Sequence, residues 1–268
     1  MKITIIGAGN MGLAIARGLA KGSHVVSSDI TCTVFSEASY NKLSADADFK
    51  FGLTRDNVEA VKGADVIILA VKPWRIEEVI IQIRPVLNFS KQIIASVAAG
   101  ITFEQLNSYL LNPNDLDNLE LPPVFRIMPN TAIEVQSSMT FVSACNATDE
   151  QTNLILSLFH ELGNAMLIEE RLMTAGTALA SCGIAFAMRY IRAAIEGGVE
   201  LGFYPNQAQE IVAYTVKGAV DLLLANQSNP EAEIDKVTTP GGITIKGLNE
   251  MELAGFTAAV IRGLKASK

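Results

Sequence analysis

Short apolar runs rich in β-branched residues alternate with helical spacings along the first part of the chain. Ile3 to Ile6, Cys32 to Phe35, Val66 to Leu69, Ile93 to Ser96 and Val124 to Ile127 are almost free of polar interruption. Runs of this kind belong to parallel strands covered on both faces rather than to strands with one wet face. Met11 to Lys21 carries helical spacing between the first two runs. Met139 to Ala144 reads as a further strand, Glu150 to Leu162 as a helix and Ala165 to Ile168 as a last strand. Strands alternating with helices predict a doubly wound, parallel α/β sheet.

From Glu169 onward the strand pattern stops and long helices take over. Leu172 to Leu201 reads as one helix ended by Gly202, and Pro205 is suited to open the next, which runs to about Ala225. Asn226 to Pro230 is a turn, a short helix follows to Val237, and helical spacing resumes after Thr238-Thr239-Pro240-Gly241-Gly242. Two domains are expected, 1–168 with the sheet and 169–268 all-helical. The long helix is apolar on most of its circumference, as a buried helix is. The second domain is too short to cover it, so a second copy of the chain is expected to do so, giving at least a homodimer.

Leu172 to Met188 carries no charge and touches the lower length limit of a membrane span. It also contains Thr174, Gly176, Thr177, Ser181 and Gly183, and Arg189, Arg192 and Glu196 continue the same helix. An interface helix is the expectation, not a span. The net charge of -7 disfavours nucleic acid and anionic membranes as partners, though local donors still allow a small anionic substrate. The three cysteines, Cys32, Cys145 and Cys182, have neither metal nor redox-motif spacing, which suits a reduced, cytoplasmic setting. His24 and His160 are far apart in sequence, so no metal site is expected. The N-terminus reads as a strand rather than a secretory signal. Asn112 to Pro123 is polar, acidic and proline-bounded and reads as a surface loop.

Gly7-Ala8-Gly9-Asn10-Met11-Gly12 follows the first strand and opens a helix. In that context Gly7 permits the tight turn, Gly9 lets the backbone approach a pyrophosphate, and Gly12 lets helix and strand pack closely. The helix start adds free N–H groups and a positive dipole end. The segment therefore predicts a Rossmann-type dinucleotide site. Ser36 and Glu37 stand at the end of the second strand. There a carboxylate would bind a ribose 2′-hydroxyl and repel a 2′-phosphate, whereas Ser36, Ser39 and Lys42 would suit the phosphate. NADH and NADPH both stay open. Ala70-Val71-Lys72-Pro73, Val97-Ala98-Ala99-Gly100 and Met128-Pro129-Asn130-Thr131 follow later strand ends, where ligands of open α/β sheets bind. Lys72 is a candidate base or phosphate partner, or a side chain in solvent. Asn130 either orients the cofactor's carboxamide or ribose, or shapes a turn.

Pro240-Gly241-Gly242-Ile243-Thr244 exposes consecutive N–H groups at a helix start, a nest suited to a carboxylate, with the Thr244 hydroxyl in the first turn.

These motifs, in this order over essentially the whole chain, resemble the pyrroline-5-carboxylate reductase family. The Pro240-Gly241-Gly242-Ile243-Thr244-Ile245 stretch with Gly247-Leu248 is the most specific part of the likeness. The resemblance implies a dinucleotide-binding domain and a helical dimerisation domain. It also implies dimers that often assemble into rings, and an active site shared between the glycine-loop domain and the partner's helical domain. The implied reaction is hydride transfer from NADPH or NADH to 1-pyrroline-5-carboxylate, giving L-proline. On that reading Gly241, Gly242, Ile243 and Thr244 hold the substrate carboxylate, Thr244 also bonds the ring nitrogen, and Ala98 and Ala99 wall the ring. The chain departs from the family pattern at Cys182-Gly183-Ile184-Ala185-Phe186, where a serine and a proline are usual, and at Ala132, Ser138 and Glu37. Two other readings stand beside it. One is a β-hydroxyacid or keto-acid reductase using Lys217; the other is a dinucleotide-binding regulator without catalysis.

Overall fold

The computed structural model describes residues 1–111 and 121–268, so most of the acidic 112–123 stretch lies outside the described residues. It divides into two compact units, Met1–Ser181 and Cys182–Lys268.

In the first unit β1 (Ile3–Ile6) leads through the glycine loop into α1 (Asn10–Leu19), then β2 (Ile30–Thr33), α2 (Glu37–Ser44), β3 (Gly52–Thr54) and α3 (Asn57–Val61). The second series is β4 (Val66–Leu69), α4 (Ile76–Ile83), β5 (Ile93–Ser96), α5 (Phe103–Leu110) and β6 (Val124–Met128). β7 (Ser138–Cys145), α6 (Asp149–His160) and β8 (Gly163–Leu167) complete the sheet. The strand order is β3-β2-β1-β4-β5-β6-β7-β8. The order reverses between β1 and β4, so the crevice beyond their carboxyl ends is the switch point at which ligands of such sheets bind.

Alternate residues of the buried strands face opposite layers. Ile3 and Ile5 pack with Ile15, Leu19, Leu158 and Phe159 on one side. Ile6, Ile67 and Leu69 pack with Ile76, Ile80 and Leu106 on the other. Both faces are dry, which is why the strand runs lack an alternating polar set. Capping boxes fix two helix starts, Thr102 with Gln105 at α5 and Thr148 with Gln151 at α6.

Four features differ from the sequence reading, three of them in the sheet. β2 lies two residues earlier than Cys32 to Phe35. Its partner β1 ends at Ile6, opposite Thr33, and the Gly7 and Ala8 N–H groups then close on the Thr33 carbonyl at 3.2 and 2.7 Å. Strand propensity continues through Phe35, but β1 offers no further partner; the Val34 N–H makes one last bond, to the Thr54 carbonyl at 3.1 Å. β3 carries no apolar run and exists only as an edge partner of β2. The sheet is parallel through β6. β7 then runs antiparallel to β6, because the short 3-10 turn Thr131–Val135 can only reverse the chain.

Leu172 to Leu201 is likewise not one regular helix. α7 (Met173–Gly176) passes into a π-turn, Thr177–Ser181, before α8 (Cys182–Glu200). Thr177 Oγ1 donates to the Met173 carbonyl at 2.8 Å, and Gly176 sits where a Cβ would come within 2.8 Å of the Phe141 ring. The helical run Glu170–Glu200 is long and apolar enough to cross a membrane by length and composition alone.

In the second unit α8 is followed by α9 (Pro205–Asn226), α10 (Pro230–Val237), α11 (Ile243–Leu253) and α12 (Phe256–Ala266). Gly202, at φ +105°, ends α8 in a conformation that favours glycine, and Pro205 opens α9. Close approach of α8 and α9 uses Gly198, whose Cβ would lie 3.1 Å from Ala208 Cβ. Tyr190 and Phe256 meet edge to face, with ring centroids 6.3 Å apart. No residue of α8 is fully buried in the single chain. Met188, Leu201, Tyr214, Leu224 and Leu253 are all exposed, which leaves the apolar surface that the sequence assigned to a second subunit.

Candidate active site

Three glycines of the β1–α1 loop have different jobs. Gly7 has φ +102°, and a Cβ there would stand 2.9 Å from Val71 Cγ1 and 3.0 Å from the Ala70 carbonyl carbon. A Cβ on Gly12 would lie 2.2 Å from the Gly7 carbonyl oxygen. Both are therefore demanded by the fold. Gly9, the N-cap of α1, has no protein atom within 4 Å of its would-be Cβ, and no side chain caps the helix. The open space and the unpaired first-turn N–H groups fit a pyrophosphate held against backbone.

A groove of about 860 Å³ runs from that loop along the strand ends. Gly7, Ala8, Gly9, Asn10 and Met11 line it from β1, and Ala70, Val71, Lys72 and Pro73 from β4. Val97, Ala98 and Ala99 follow from β5, and Met128 to Thr131 from β6. Sequence reasoning thus assembles most of one surface. Gly12 is buried beneath it.

Ser36 and Glu37 do not line the groove. Ser36 caps α2, its hydroxyl accepting the Ser39 N–H at 3.1 Å and donating to Ser39 Oγ at 2.9 Å. Glu37, 76% exposed in its side chain, lies 3.7 Å from an Arg55 nitrogen. Ser39, Phe35 and Arg75 line the groove at this end instead. Arg75 was missed because it belongs to a 3-10 turn after Lys72 whose direction only the fold defines. Thr177 and Ser181 line the far end; their only sequence signal is that they are hydroxyls inside an apolar helix.

Asn130 shapes the β6–β7 turn. It is buried, its Oδ1 accepts the Ala132 N–H at 3.0 Å, and its Nδ2 donates to the Ala180 carbonyl at 3.4 Å. Lys72 is exposed, with no side-chain hydrogen bond or ion pair among the described residues.

In the second unit Gly241 has φ +72°, and the Gly242 N–H donates to the Thr239 carbonyl at 2.9 Å, which turns the chain into α11. A Cβ on Gly242 would stand 2.6 Å from Thr239 Oγ1. Gly242 is the N-cap, and no side chain caps the first turn. Ile243 and Thr244 are exposed. The turn is formed within this unit; it spends the Gly242 N–H, while the Gly241, Ile243 and Thr244 N–H groups have no partner among the described residues.

The other chemically suggestive groups are committed elsewhere. His24 Nδ1 lies 2.8 Å from Glu161, and His160 Nδ1 accepts the Ala165 N–H at 3.3 Å. Burial pushes the Cys32 thiol up to about 12, so it is inert. Lys217 is ion-paired to Asp221, whose hydrogen bond holds the ammonium above its usual pKa. Among the described residues there is no cluster of three or more potential metal ligands.

The family model described as "Pyrroline-5-carboxylate reductase dimerisation" matches residues 170–268. A second, "NADP oxidoreductase coenzyme F420-dependent", matches residues 2–100. The chain is 36% identical over 280 residues to pyrroline-5-carboxylate reductase 2 of Dictyostelium discoideum, covering 99% of this chain and 90% of that protein. It is also 36% identical over 277 residues to pyrroline-5-carboxylate reductase 1 of that organism, covering 99% of this chain. There it spans about half of the relative's length, 48%. Among solved structures, a pyrroline-5-carboxylate reductase from Coxiella burnetii is similar with a TM-score of 0.88 and 27% identity, covering 99% of this chain and 95% of that one.

Proposed function

The chain belongs to the pyrroline-5-carboxylate reductase family, and we propose that it reduces the C=N bond of 1-pyrroline-5-carboxylate to give L-proline. It is an NAD(P)-dependent oxidoreductase and a homo-oligomer. The observation that carries the reading is the unfilled approach at Gly9, above a groove that gathers the ends of β1, β4, β5 and β6.

A reduced nicotinamide bound in that groove supplies the hydride. The chain's own part is placement. Backbone N–H groups after Gly9 hold a pyrophosphate, and the Ala70 to Pro73 turn borders the path beyond it. Buried Ala98 and exposed Ala99 give a small-residue wall at the nicotinamide end, which suits a flat five-membered ring. Amides of the Gly241 to Thr244 turn other than that of Gly242, which Thr239 holds, grip the substrate carboxylate, and Thr244 Oγ1 accepts from the iminium N–H. The iminium is the better hydride acceptor, so a proton kept on that nitrogen favours transfer. Orientation of this kind is worth roughly 7–11 kcal/mol, so no buried histidine or carboxylate acid is required.

We also keep 1–168 and 169–268 as the dinucleotide and dimerisation portions. A homodimer is the smallest assembly that covers the exposed apolar face of α8. The three free cysteines support a reduced, cytoplasmic setting. A keto-acid reductase would need a lysine able to act as acid or base, and Lys217 is exposed and already paired to Asp221.

The test is oxidation of NADPH and NADH followed in parallel with 1-pyrroline-5-carboxylate. Turnover with proline formed supports the proposal. Tight cofactor binding without turnover would identify a regulator, and turnover only with keto acids another reductase.

A further inference from the structure

We propose that this chain selects NADPH over NADH, and that Arg75 and Arg55 are the selecting residues. The inference rests on the reading that the groove binds a dinucleotide, and deepens it. Beyond Phe35 the groove continues into a pocket of about 470 Å³ bordered by Thr33, Val34, Arg55, Asn57 and Arg75. This is the end of β2, where an adenosine ribose lies in such folds and where its 2′ substituent is read.

An NADH-selective site needs a carboxylate there to accept from the 2′-hydroxyl. The acid that the sequence offers, Glu37, is the first residue of α2, lines neither pocket and is turned to Arg55 and solvent. Cations border the site instead. Arg75 lies with its guanidinium carbon 4.0 Å from the Phe35 ring centroid. It spends Nε and Nη2 on Glu78, at 3.2 and 2.9 Å. A guanidinium has five N–H donors, so Nη1 and the second Nη2 hydrogen remain. Glu78 also borders the pocket, yet its two oxygens are engaged by that fork. Arg55 is 3.7 Å from Glu37, an approach too long for a hydrogen bond, and spends no donor among the described residues. The Ser39 hydroxyl lies on the same rim. Two guanidinium groups with spare donors, a hydroxyl and a displaced acid make a receptor for a phosphate dianion. The Phe35 ring beneath Arg75 holds that guanidinium at the rim by a cation–π contact.

The test uses 2′,5′-ADP and 5′-AMP as probes, with calorimetry on the whole protein, and parallel NADPH and NADH kinetics. The wild type is expected to bind 2′,5′-ADP at least tenfold more tightly than 5′-AMP. Arg75→Gln and Arg55→Gln should each weaken 2′,5′-ADP about tenfold, the scale of one charge-assisted hydrogen bond, and leave 5′-AMP within twofold. Glu37→Gln should leave the KM for NADH within twofold. Equal binding of the two probes overturns the inference. So does an equal loss of both in the arginine variants, which would make Arg75 an adenine platform only. A large NADH defect in Glu37→Gln would name that carboxylate as the ribose ligand instead. Imine turnover with NADH as good as with NADPH refutes the selectivity and spares the reductase reading. A clear 2′,5′-ADP preference without imine turnover does the reverse.

Discussion

Arg126 Nη1 on β6 donates to Glu170 Oε1 at 2.7 Å, and the same oxygen accepts the Phe103 N–H at 2.7 Å. Arg126 is buried in the middle of the sheet, so its charge depends on a residue at the mouth of the helical run. Removing one member of a buried pair strands the other, at about 3–5 kcal/mol. The Glu170 side chain is 37% exposed and solvent screens part of that. Glu170→Gln is expected to destabilise by about 2 kcal/mol in urea unfolding. The double variant Arg126→Met with Glu170→Met should cost less than the sum of the singles. Strict additivity would show that the two residues do not act as a pair.

The glycine loop separates folding from binding. Gly12→Ala places a methyl against the Gly7 carbonyl and should lower stability by about 1–3 kcal/mol, as overpacking does. Gly9→Ala meets nothing in the protein, so its melting temperature should stay within about 2 °C of wild type. Its NADPH affinity should nevertheless fall at least tenfold. Unchanged affinity in Gly9→Ala would remove the pyrophosphate from this loop.

Glu161 gives the protein an acid-sensitive anchor. Its carboxylate collects the Ser23 N–H and hydroxyl, the His24 N–H and His24 Nδ1. Burial works to raise its pKa, but the hydrogen bonds from His24 and Ser23 together outweigh burial and hold it below the usual carboxylate value. A depressed folded-state pKa adds stability above the unfolded pKa, lost as pH falls through the folded one. Glu161→Gln should therefore cost on the order of 1 kcal/mol near pH 7. The gap to wild type should close below about pH 4. A gap that persists at low pH would mean that shape, not charge, holds the turn.

Thr244→Ala should lower kcat/KM for the imine about tenfold or more, and Thr244→Ser should recover most of it, because only the hydroxyl is needed. Thr244 is exposed in the single chain, so neither change should shift the melting temperature by more than about 1 °C. Full activity in Thr244→Ala would withdraw the hydroxyl from the reaction.

What could be read along the chain was whatever depends on neighbours in sequence. Strands buried on both faces announce themselves as β-branched runs, and Gly7, Gly9 and Gly12 announce a tight strand–turn–helix junction. Pro240-Gly241-Gly242 announces a helix start with free donors. Each is a local conformational demand, and the comparisons with known proteins agree with the family those motifs suggested.

Other features depend on pairing and packing between distant segments, and no local pattern carries them. β3 is a strand only because β2 lies beside it, and β2 stops at Thr33 only because β1 stops at Ile6. Glu37, by its place in the chain, is one candidate to read the ribose beside Ser36, Ser39 and Lys42; the fold sets it 3.7 Å from Arg55. The fold then brought Arg75, from the turn after β4, onto the ring of Phe35. The sequence by itself determined the class of fold, the tight glycine turn between β1 and α1 and the glycine turn into α11, because backbone stereochemistry writes them locally. Only the tertiary structure decided which charges border the groove, because a side chain's final neighbours are set by elements far away in the chain.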